Sequence, residues 1–207
     1  MAARLIGRVL DRGFYARDAR SLAPLLLNKI LVHHDPDAGR LAVRIVEVEA
    51  YAGAEDEGSH GFRGLTKRNA AMFGPPGHLY VYFTYGMHWC ANVVAGEDGL
   101  SSAVLLRAAA PVTGIETMRT RRAAARTDTD LCSGPARLTQ ALGLAGGHDG
   151  TDLTLTRAAV RLLDDGVPPP TDPTVTTRVG LRSGRGDEYP WRFFVPDDPN
   201  VSHGPKQ

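Results

Sequence analysis

Apolar and polar side chains alternate most clearly in residues 41–51 of the chain. Strict alternation at the end of this segment predicts a β-strand, in which successive side chains point to opposite faces. The apolar face of this strand carries Val46, Val48 and Ala50. Glu47, Glu49 and Tyr51 then share the other face, so carboxylates and an aromatic ring point the same way.

Three further apolar segments predict strands that follow as a meander. They cover residues 79–84, 87–95 and 101–108, and Gly-containing turns separate them. A terminal hairpin across residues 176–195 is expected to close the sheet. The chain therefore predicts a sheet of short strands with its longest strand at 41–51.

Three helices are predicted around this sheet. Residues 21–30 are typical of a short buried helix. The spacing of residues 113–116 is that of a capping box, and it predicts a helix over 117–126. A third helix is expected to begin at Ser133-Gly134-Pro135 and to end near residues 146–147.

Composition indicates one domain. The chain has 207 residues, of which 43% are hydrophobic, enough for one sizeable core. We expect this domain to span residues 1–200, with residues 201–207 as a frayed tail and the Pro-rich residues 166–173 as a surface loop. Residues 1–11 lack the apolar core of a secretion signal and are predicted to belong to the fold. No run approaches the roughly 18 apolar residues of a membrane span, so no membrane association is expected.

Cysteine usage and charge narrow the possible partners. Cys90 and Cys132 are far apart and form no metal-type pair, so neither a disulfide framework nor a metal site is predicted, and a cytoplasmic location fits. We expect no cofactor. The formal net charge is only +1, and three of the 24 basic residues are lysine. Any cationic surface for nucleic acid must therefore be local.

Glu49 is the first candidate for chemistry. A carboxylate among Val48, Ala50 and Tyr51 is expected to be partly desolvated, which suits a general base. The more common fate of such a residue is an exposed strand carboxylate. Arg107 follows three apolar residues, so it should either pair with a carboxylate, Glu49 being the obvious one, or lie at the open end of its strand.

Tyrosines are concentrated near residue 82. Tyr80 and Tyr82 share a face of their predicted strand, and Tyr85 falls at the following turn. Base–aromatic stacking contributes roughly 1–3 kcal/mol per base, so such rings suit a planar ligand, although half-buried sheet tyrosines are more common. His60 could contact a base edge or be structural, and Asn92 would need hydrogen-bond partners if buried.

Several enzyme classes lack their signatures in this chain. It has neither the His-x-Glu and Pro-Cys-x-x-Cys motifs of zinc deaminases nor a Walker loop or a Gly-x-Gly-x-x-Gly fingerprint. With three lysines, a Schiff-base lyase would have few nucleophiles to choose from.

A set of short motifs occurs in order along nearly the whole chain. The motifs are Val46-Glu47-Val48-Glu49-Ala50-Tyr51, Ser59-His60, Arg68-Asn69, Met72-Phe73, the residues 76–82, Tyr85-Gly86-Met87, Cys90-Ala91-Asn92, the residues 104–108, the residues 131–135 and Arg178-Val179-Gly180. Together they resemble the alkyladenine (3-methyladenine) DNA glycosylase family. Collinear motifs of this kind are far more specific than any single spacing.

The resemblance implies a fold and a reaction. The expected fold is a monomeric mixed α/β single domain with a curved antiparallel sheet, surrounding helices and no helix-hairpin-helix module. The expected activity is that of a base-excision-repair DNA glycosylase, which flips a damaged purine from duplex DNA, hydrolyses its N-glycosidic bond and leaves an abasic site. By this resemblance Glu49 deprotonates the attacking water, and Arg107 and the backbone carbonyl of Val179 hold it.

The resemblance also assigns residues that contact the DNA. Tyr51, His60 and Tyr82 match the residues that contact the flipped base, and Asn92 matches one that clashes with the amino group of normal guanine. Tyr85 matches the residue that wedges into the vacated stack. A departure lies at Lys67, where family members commonly have proline.

Contacts with the DNA backbone are expected from a separate group of residues. Arg63, Lys67 and Arg68 lie between the two main motifs and could neutralise phosphates. The predicted helix start at Ser133 and Gly134 offers backbone N–H groups as a further phosphate site.

Two other functions stay open on the sequence. One is a non-catalytic protein that binds DNA lesions, which the presence of Glu49 with Arg107 argues against. The other is a small-molecule nucleoside hydrolase, which the wedge residue Tyr85 argues against. The preferred lesion is open among 3-methyladenine, 7-methylguanine, hypoxanthine and ethenoadenine.

Overall fold

The protein is built on one open antiparallel sheet with helices packed around it. The computed structural model describes residues 7–204, and the predicted role of residues 1–6 in the fold lies outside the described residues. The strands are β1 (Arg8–Val9), β2 (Ile30–Asp35), β3 (Gly39–Ala52), β4 (Leu79–Thr84), β5 (His88–Ala95), β6 (Ser102–Thr113), β7 (Val160–Asp164), β8 (Thr174–Thr176) and β9 (Arg192–Phe194). The α-helices among these residues are α1 (Arg12–Tyr15), α2 (Ala19–Leu26), α3 (Ile115–Arg121) and α4 (Pro135–Leu142).

The strands are arranged in the order β1-β7-β2-β3-β6-β5-β4, with β9 pairing to both β3 and β8. This arrangement confirms the predicted single α/β domain with an antiparallel sheet. The strands predicted at 79–84, 87–95 and 101–108 correspond to β4, β5 and β6. Within residues 7–204, no helix combines the length and the apolarity that a membrane crossing requires.

The long strand β3 organises the sheet, because it pairs with β2, β6 and β9. Its pairing with β6 is irregular near the centre: Glu47 lies opposite Ala108, whereas Val48 lies opposite Leu106. Arg107 is therefore the extra residue of a β-bulge, a feature that redirects a side chain relative to a regular ladder.

Helices α2 and α4 supply much of the apolar core against the sheet. Leu22 and Leu26 of α2 and Leu138 of α4 have no exposed surface and belong to the same apolar cluster as Val48 and Leu106. Burying side chains of this size contributes roughly 1.5–3 kcal/mol each. The core therefore holds β3 and β6, the strands that carry Glu49 and Arg107.

Two predicted helix boundaries differ from the structure. The helix expected at 21–30 begins earlier, where the Asp18 side chain accepts a hydrogen bond from the Arg20 N–H, and it ends before Asn28, whose φ is 65°. The capping box predicted at 113–116 is wrong: Thr113 ends β6, and α3 begins after Gly114 with no side-chain cap. Gly114 has a φ of 81°, so a left-handed residue makes this turn.

The C-terminal part of the chain also departs from the predictions. Helix α4 begins at Pro135 as expected but ends at Leu142 and not near residues 146–147, because the following Gly143 adopts the left-handed conformation. The hairpin predicted at 176–195 is reduced to the pairing of the short strands β8 and β9, with a long loop between them. The frayed tail predicted from Val201 is wrong for its first two residues, because Val201 and Ser202 are 7% and 2% exposed.

Candidate active site

A cavity of about 380 Å³ collects most of the predicted site residues. Its volume falls in the range of roughly 300–1,000 Å³ that is usual for small-molecule pockets. Its lining includes seven residues singled out in the sequence, namely Tyr51, His60, Tyr82, Tyr85, Asn92, Arg107 and Val179. Met72, Tyr80, Cys90 and Leu105 add apolar and aromatic surface. The cavity therefore combines flat rings with a few polar groups.

Glu49 lies directly behind the cavity wall. Its side chain has no exposed surface, so the alternative of an exposed strand carboxylate is wrong. Oε2 accepts a hydrogen bond from the Tyr51 hydroxyl at 2.9 Å, and Oε1 accepts one from the Val179 N–H at 2.7 Å. Nη1 of Arg107 is 3.4 Å from Oε1. These three partners also line the cavity, so the Glu49 carboxylate lies next to it.

Tyr51 is held as a hydrogen-bond donor to Glu49. Burial raises the pKa of Tyr51 well above its ordinary value, and the neighbouring Glu49 raises it further. The hydroxyl therefore keeps its proton at neutral pH and donates a hydrogen bond to the carboxylate. The alternation of β3 accounts for this contact, because residues two apart share a strand face.

Arg107 joins two buried carboxylates, which confirms its predicted pairing with Glu49. Its Nε donates to Oε1 of Glu47 at 3.0 Å, a closer contact than the one with Glu49. Burial alone would lower the pKa of Arg107, but Glu49 and Glu47 outweigh it and raise the pKa. The guanidinium is therefore a permanent positive charge between two acidic side chains.

Glu47 is a central residue of this site to which the sequence analysis gave no role. It has no exposed surface, and its two oxygens accept hydrogen bonds from four donors. The donors are Arg192 Nε at 2.6 Å, Arg107 Nε at 3.0 Å, the Ser202 N–H at 2.7 Å and the Ser202 hydroxyl at 2.9 Å. The shared strand face of Glu47 and Glu49 was the available signal for Glu47, but Arg192 and Ser202 have no local signal in the sequence.

A second buried ion pair supports the wall of the cavity. Arg178 binds both carboxylate oxygens of Asp56, at 2.6 and 2.8 Å, and both side chains are fully buried. The Arg178 guanidinium also lies 4.6 Å from the centre of the Tyr51 ring and donates to the Ala50 carbonyl at 3.0 Å. This pair connects three parts of the site: the end of β3, the loop after it, and the segment that continues into Val179.

Three rings form the aromatic side of the cavity. The rings of Tyr80 and Tyr82 stack with centroids 5.3 Å apart, which confirms that they share a strand face. The His60 ring meets Tyr82 edge-on at 4.4 Å, and its Nδ1 lies 3.1 Å from the Tyr80 hydroxyl. Burial and the nearby Arg68 lower the pKa of His60, and burial raises the pKa of Tyr80 to about 12. Both rings are therefore uncharged at neutral pH.

Asn92 and Cys90 occupy the β5 side of the cavity. Asn92 is 5% exposed, and its amide nitrogen donates to the Tyr80 carbonyl at 3.2 Å. Burial raises the pKa of the Cys90 thiol, and it raises that of Cys132 to about 12, so neither is a ready nucleophile. Among residues 7–204, no three His, Cys, Asp or Glu side chains are grouped so that they could hold a metal ion.

Tyr85 projects from the turn between β4 and β5 at the edge of the cavity. Its side chain is 83% exposed and its φ is 51°, so it is not a core tyrosine. Phe83 and Met87 on either side are 44% and 67% exposed. The turn therefore presents an apolar projection to solvent, as an exposed interaction surface does.

The predicted phosphate-binding residues separate into two groups. Arg63, Lys67 and Arg68 are exposed, and Arg68 lies 5.5 Å from the Tyr82 ring centre and donates to the Phe83 carbonyl. Ser133 is buried, and its hydroxyl accepts a hydrogen bond from Arg137. The prediction of a free N–H at Gly134 is wrong, because this group donates to the Cys132 carbonyl at 3.0 Å.

Comparison with known proteins identifies relatives that match nearly the whole chain. The sequence model of the methylpurine-DNA glycosylase (MPG) family matches residues 13–199. A protein of Burkholderia lata, provisionally named 3-methyladenine DNA glycosylase, is 54% identical over 201 residues, which cover 97% of this chain and 94% of that protein. Proteins of the same name from Streptomyces avermitilis and Chlorobaculum tepidum are 50% and 44% identical, each covering 93% of this chain and 90% of the relative. The resemblance found in the sequence is thus confirmed, and the chain belongs to the methylpurine-DNA glycosylase family.

Proposed function

We propose that this protein, by its family a DNA glycosylase of base excision repair, flips alkylated or deaminated purines out of duplex DNA and removes them with an activated water. The products are a free base and an abasic site. The observation that carries the proposal is the buried Glu49 carboxylate, whose three polar partners line a cavity of base-compatible size.

The proposed reaction uses Glu49 as the general base. A water that enters between Glu49, Arg107 and Val179 gives a proton to Glu49 while its oxygen forms a bond to C1′ of the sugar. The C1′–N bond breaks, and its electron pair leaves with the purine. We assign the backbone carbonyl of Val179 to the same water, because the N–H of this residue already contacts Glu49.

Burial strengthens the effect of the Glu49 carboxylate on developing charge. Fixed charges in a site that excludes bulk water stabilise developing charge more strongly than they do in water. The sugar becomes positive as the bond breaks, and a nearby carboxylate suits such a transition state. An N-alkylated purine already carries positive charge, so it leaves as a neutral base without prior protonation.

The aromatic side of the cavity supports selection of damaged purines. Tyr51, Tyr82 and His60 provide neutral rings, and ring faces attract cationic bases. Asn92 lies in β5 opposite Tyr80 of β4 and lines the cavity, and we propose that it rejects the amino group of normal guanine. Damaged bases also cost less to unstack, which adds to the selectivity.

Residues around the cavity mouth support binding to duplex DNA. We propose that Tyr85 fills the stack from which the base is taken and that Arg63, Lys67 and Arg68 contact phosphates. The protein acts as a monomer in this proposal. A nucleoside hydrolase would have no use for a tyrosine that projects 83% of its surface into solvent.

The direct test uses four duplexes, each with one 3-methyladenine, 7-methylguanine, hypoxanthine or ethenoadenine. Alkali cleaves abasic sites, so strand breaks after alkali report base removal. We expect breaks at one or more of the four lesions and none in undamaged duplex. Lesion binding without any breaks would support a non-catalytic binding protein, and cleavage of free nucleosides alone would support the nucleoside hydrolase.

A further inference from the structure

The C-terminal segment returns to the back of the active site and contacts the buried charges there. The Ser202 N–H donates to Glu47 Oε2 at 2.7 Å, and its hydroxyl donates to Glu47 Oε1 at 2.9 Å. The same hydroxyl accepts a hydrogen bond from Arg107 Nη2 at 3.2 Å. Ser202 is 2% exposed, so water does not replace these contacts. The family match ends at residue 199 and does not include this serine.

We propose that Ser202 is a positioning residue that orients Arg107 toward Glu49, a role that rests on the proposed glycosylase function. It does not touch the DNA in this proposal. It acts on the reaction only through Arg107 and Glu47.

The geometry of the Arg107 guanidinium carries this proposal. A guanidinium is planar and its donors form a rigid fork, so fixing two corners fixes the third. Nε is held by Glu47 at 3.0 Å and Nη2 by Ser202 at 3.2 Å, which leaves Nη1 facing Glu49 at 3.4 Å. Contact with Glu49 is the longest of the three, so it depends on how firmly the other two are held.

The hydroxyl of Ser202 suits this role because it can donate and accept at once. It donates a hydrogen bond to Glu47 and accepts one from Arg107, so it bridges an anion and a cation. Without the hydroxyl, Glu47 loses one of its four donors and Arg107 loses one of its two anchors. Either change lets the guanidinium turn away from Glu49.

Packing and positioning are divided between neighbouring residues in this segment. Val201 is 7% exposed and packs with Val46 and Ala108, next to the charged residues on both strands. Its side chain contributes apolar burial and no hydrogen bond. Val201→Ala is therefore a matched control that weakens the docking of the segment but leaves the Ser202 hydroxyl in place.

The test measures three quantities for Ser202→Ala and Val201→Ala: the single-turnover excision rate, the Kd for lesion duplex and the melting temperature. Because small displacements of a catalytic group can cost up to about a hundredfold in rate, we expect Ser202→Ala to lower the excision rate about tenfold or more. Its Kd should remain within about twofold of wild type, since no base-binding group changes. Val201→Ala should lower the melting temperature while excision below that temperature stays at the wild-type rate.

A second control and a double mutant separate positioning from a general loss of structure. Ser102→Ala removes a buried hydroxyl that has no hydrogen-bond partner among the described residues, and it should leave the excision rate unchanged. In an Arg107→Gln background, Ser202→Ala should cause no further loss of rate, because Ser202 acts through Arg107.

Three outcomes would overturn the positioning role. The first is an excision rate of Ser202→Ala equal to that of wild type. The second is an equal loss of excision rate in Val201→Ala when the two variants have the same melting temperature. The third is a double mutant in which the rate losses of Ser202→Ala and Arg107→Gln add in full. If the wild-type protein excises none of the four lesions, the proposed function fails and the positioning role fails with it. Excision by wild type and by Ser202→Ala at equal rates removes only the positioning role.

Discussion

The N–H of Val179 donates to Oε1 of Glu49 at 2.7 Å, across 130 residues of sequence. This contact places the loop between β8 and β9 against β3, the strand that carries the proposed general base Glu49. The preceding residue, Arg178, is fixed by Asp56 and lies against the ring of Tyr51. The loop is therefore part of the candidate active site and is held there by a buried ion pair.

Glu49→Gln tests the role of Glu49 as the general base. An amide keeps the shape of the side chain but cannot accept a proton from water, so excision should fall below detection while the Kd for lesion duplex changes little. Single-turnover excision and equilibrium binding measure the two effects. Glu116→Gln is the control, because the Glu116 side chain is 85% exposed and lies outside the cavity. Full activity of Glu49→Gln would remove Glu49 from the mechanism.

Tyr85→Ala tests the proposed wedge. The ring would compensate for unstacking, which costs a few kcal/mol, so its removal should lower excision from well-paired duplex roughly tenfold or more. The loss should be smaller when the lesion lies in a mismatched pair, where flipping is already easier. Leu155→Ala, which removes a 56% exposed apolar side chain outside the cavity, should leave both rates unchanged. Equal losses on paired and mismatched lesions would contradict the wedge.

Asp56→Asn tests the buried ion pair with Arg178. Removing one partner leaves the other charge buried and unpaired, which typically lowers the free energy of unfolding by about 3–5 kcal/mol. Urea unfolding measures this change. Asp128→Asn breaks the exposed pair with Arg119 and should have little effect, since solvent screens that pair. Comparable effects of the two substitutions would show that the buried pair holds nothing in place.

Salt dependence of DNA binding tests the exposed cations. A cation that neutralises a phosphate releases counterions. Each of the single substitutions Arg63→Ala, Lys67→Ala and Arg68→Ala should therefore reduce the slope of log Kd against the logarithm of the salt concentration by about one. Binding to undamaged duplex between low and moderate salt is the measurement. A slope that none of the three substitutions changes would place the phosphate-binding residues elsewhere.

A pair of histidines, of which His33 is buried and His148 is partly exposed, predicts a dependence of stability on pH. His33 Nδ1 lies 2.8 Å from the Leu142 carbonyl, and its Nε2 lies 3.1 Å from Nε2 of His148. If Nδ1 of His33 donates to the carbonyl, Nε2 of His148 carries the single proton between the rings. A second proton would place two donors face to face.

Burial lowers the pKa of His33 below its ordinary 6.5; His148 and Arg121 act in the same direction, and the Leu142 carbonyl and Asp35 oppose them. As the pH decreases, this histidine therefore binds a proton near pH 6.5 in the unfolded chain and only at a lower pH in the folded protein. Stability is complete above that pH and falls as pH decreases through the lowered pKa. Urea unfolding between pH 7.5 and about 5 should show this fall, and His33→Gln should flatten it, with His88→Gln as the exposed histidine control. An unchanged slope in His33→Gln would exclude the pair as its source.

Local geometry made part of the site predictable from the sequence. Side chains two apart on a strand share a face, so alternation alone placed Glu49 beside Tyr51 and Tyr80 beside Tyr82. The motifs that resemble the family came from the sequence as well. Periodicity also located β4, β5 and β6, because short apolar segments bounded by glycine-containing turns are typical of β-strands.

Only the tertiary structure decided which groups meet and which are buried. Glu47 is surrounded by Arg192 and Ser202, 145 and 155 residues away, and no local pattern connects such positions. The same limit explains the wrong expectation at Val201 and Ser202, which the sequence could place only in a tail. Spacing determines the direction of a side chain relative to its own backbone, whereas its partners and its exposure depend on long-range packing around it.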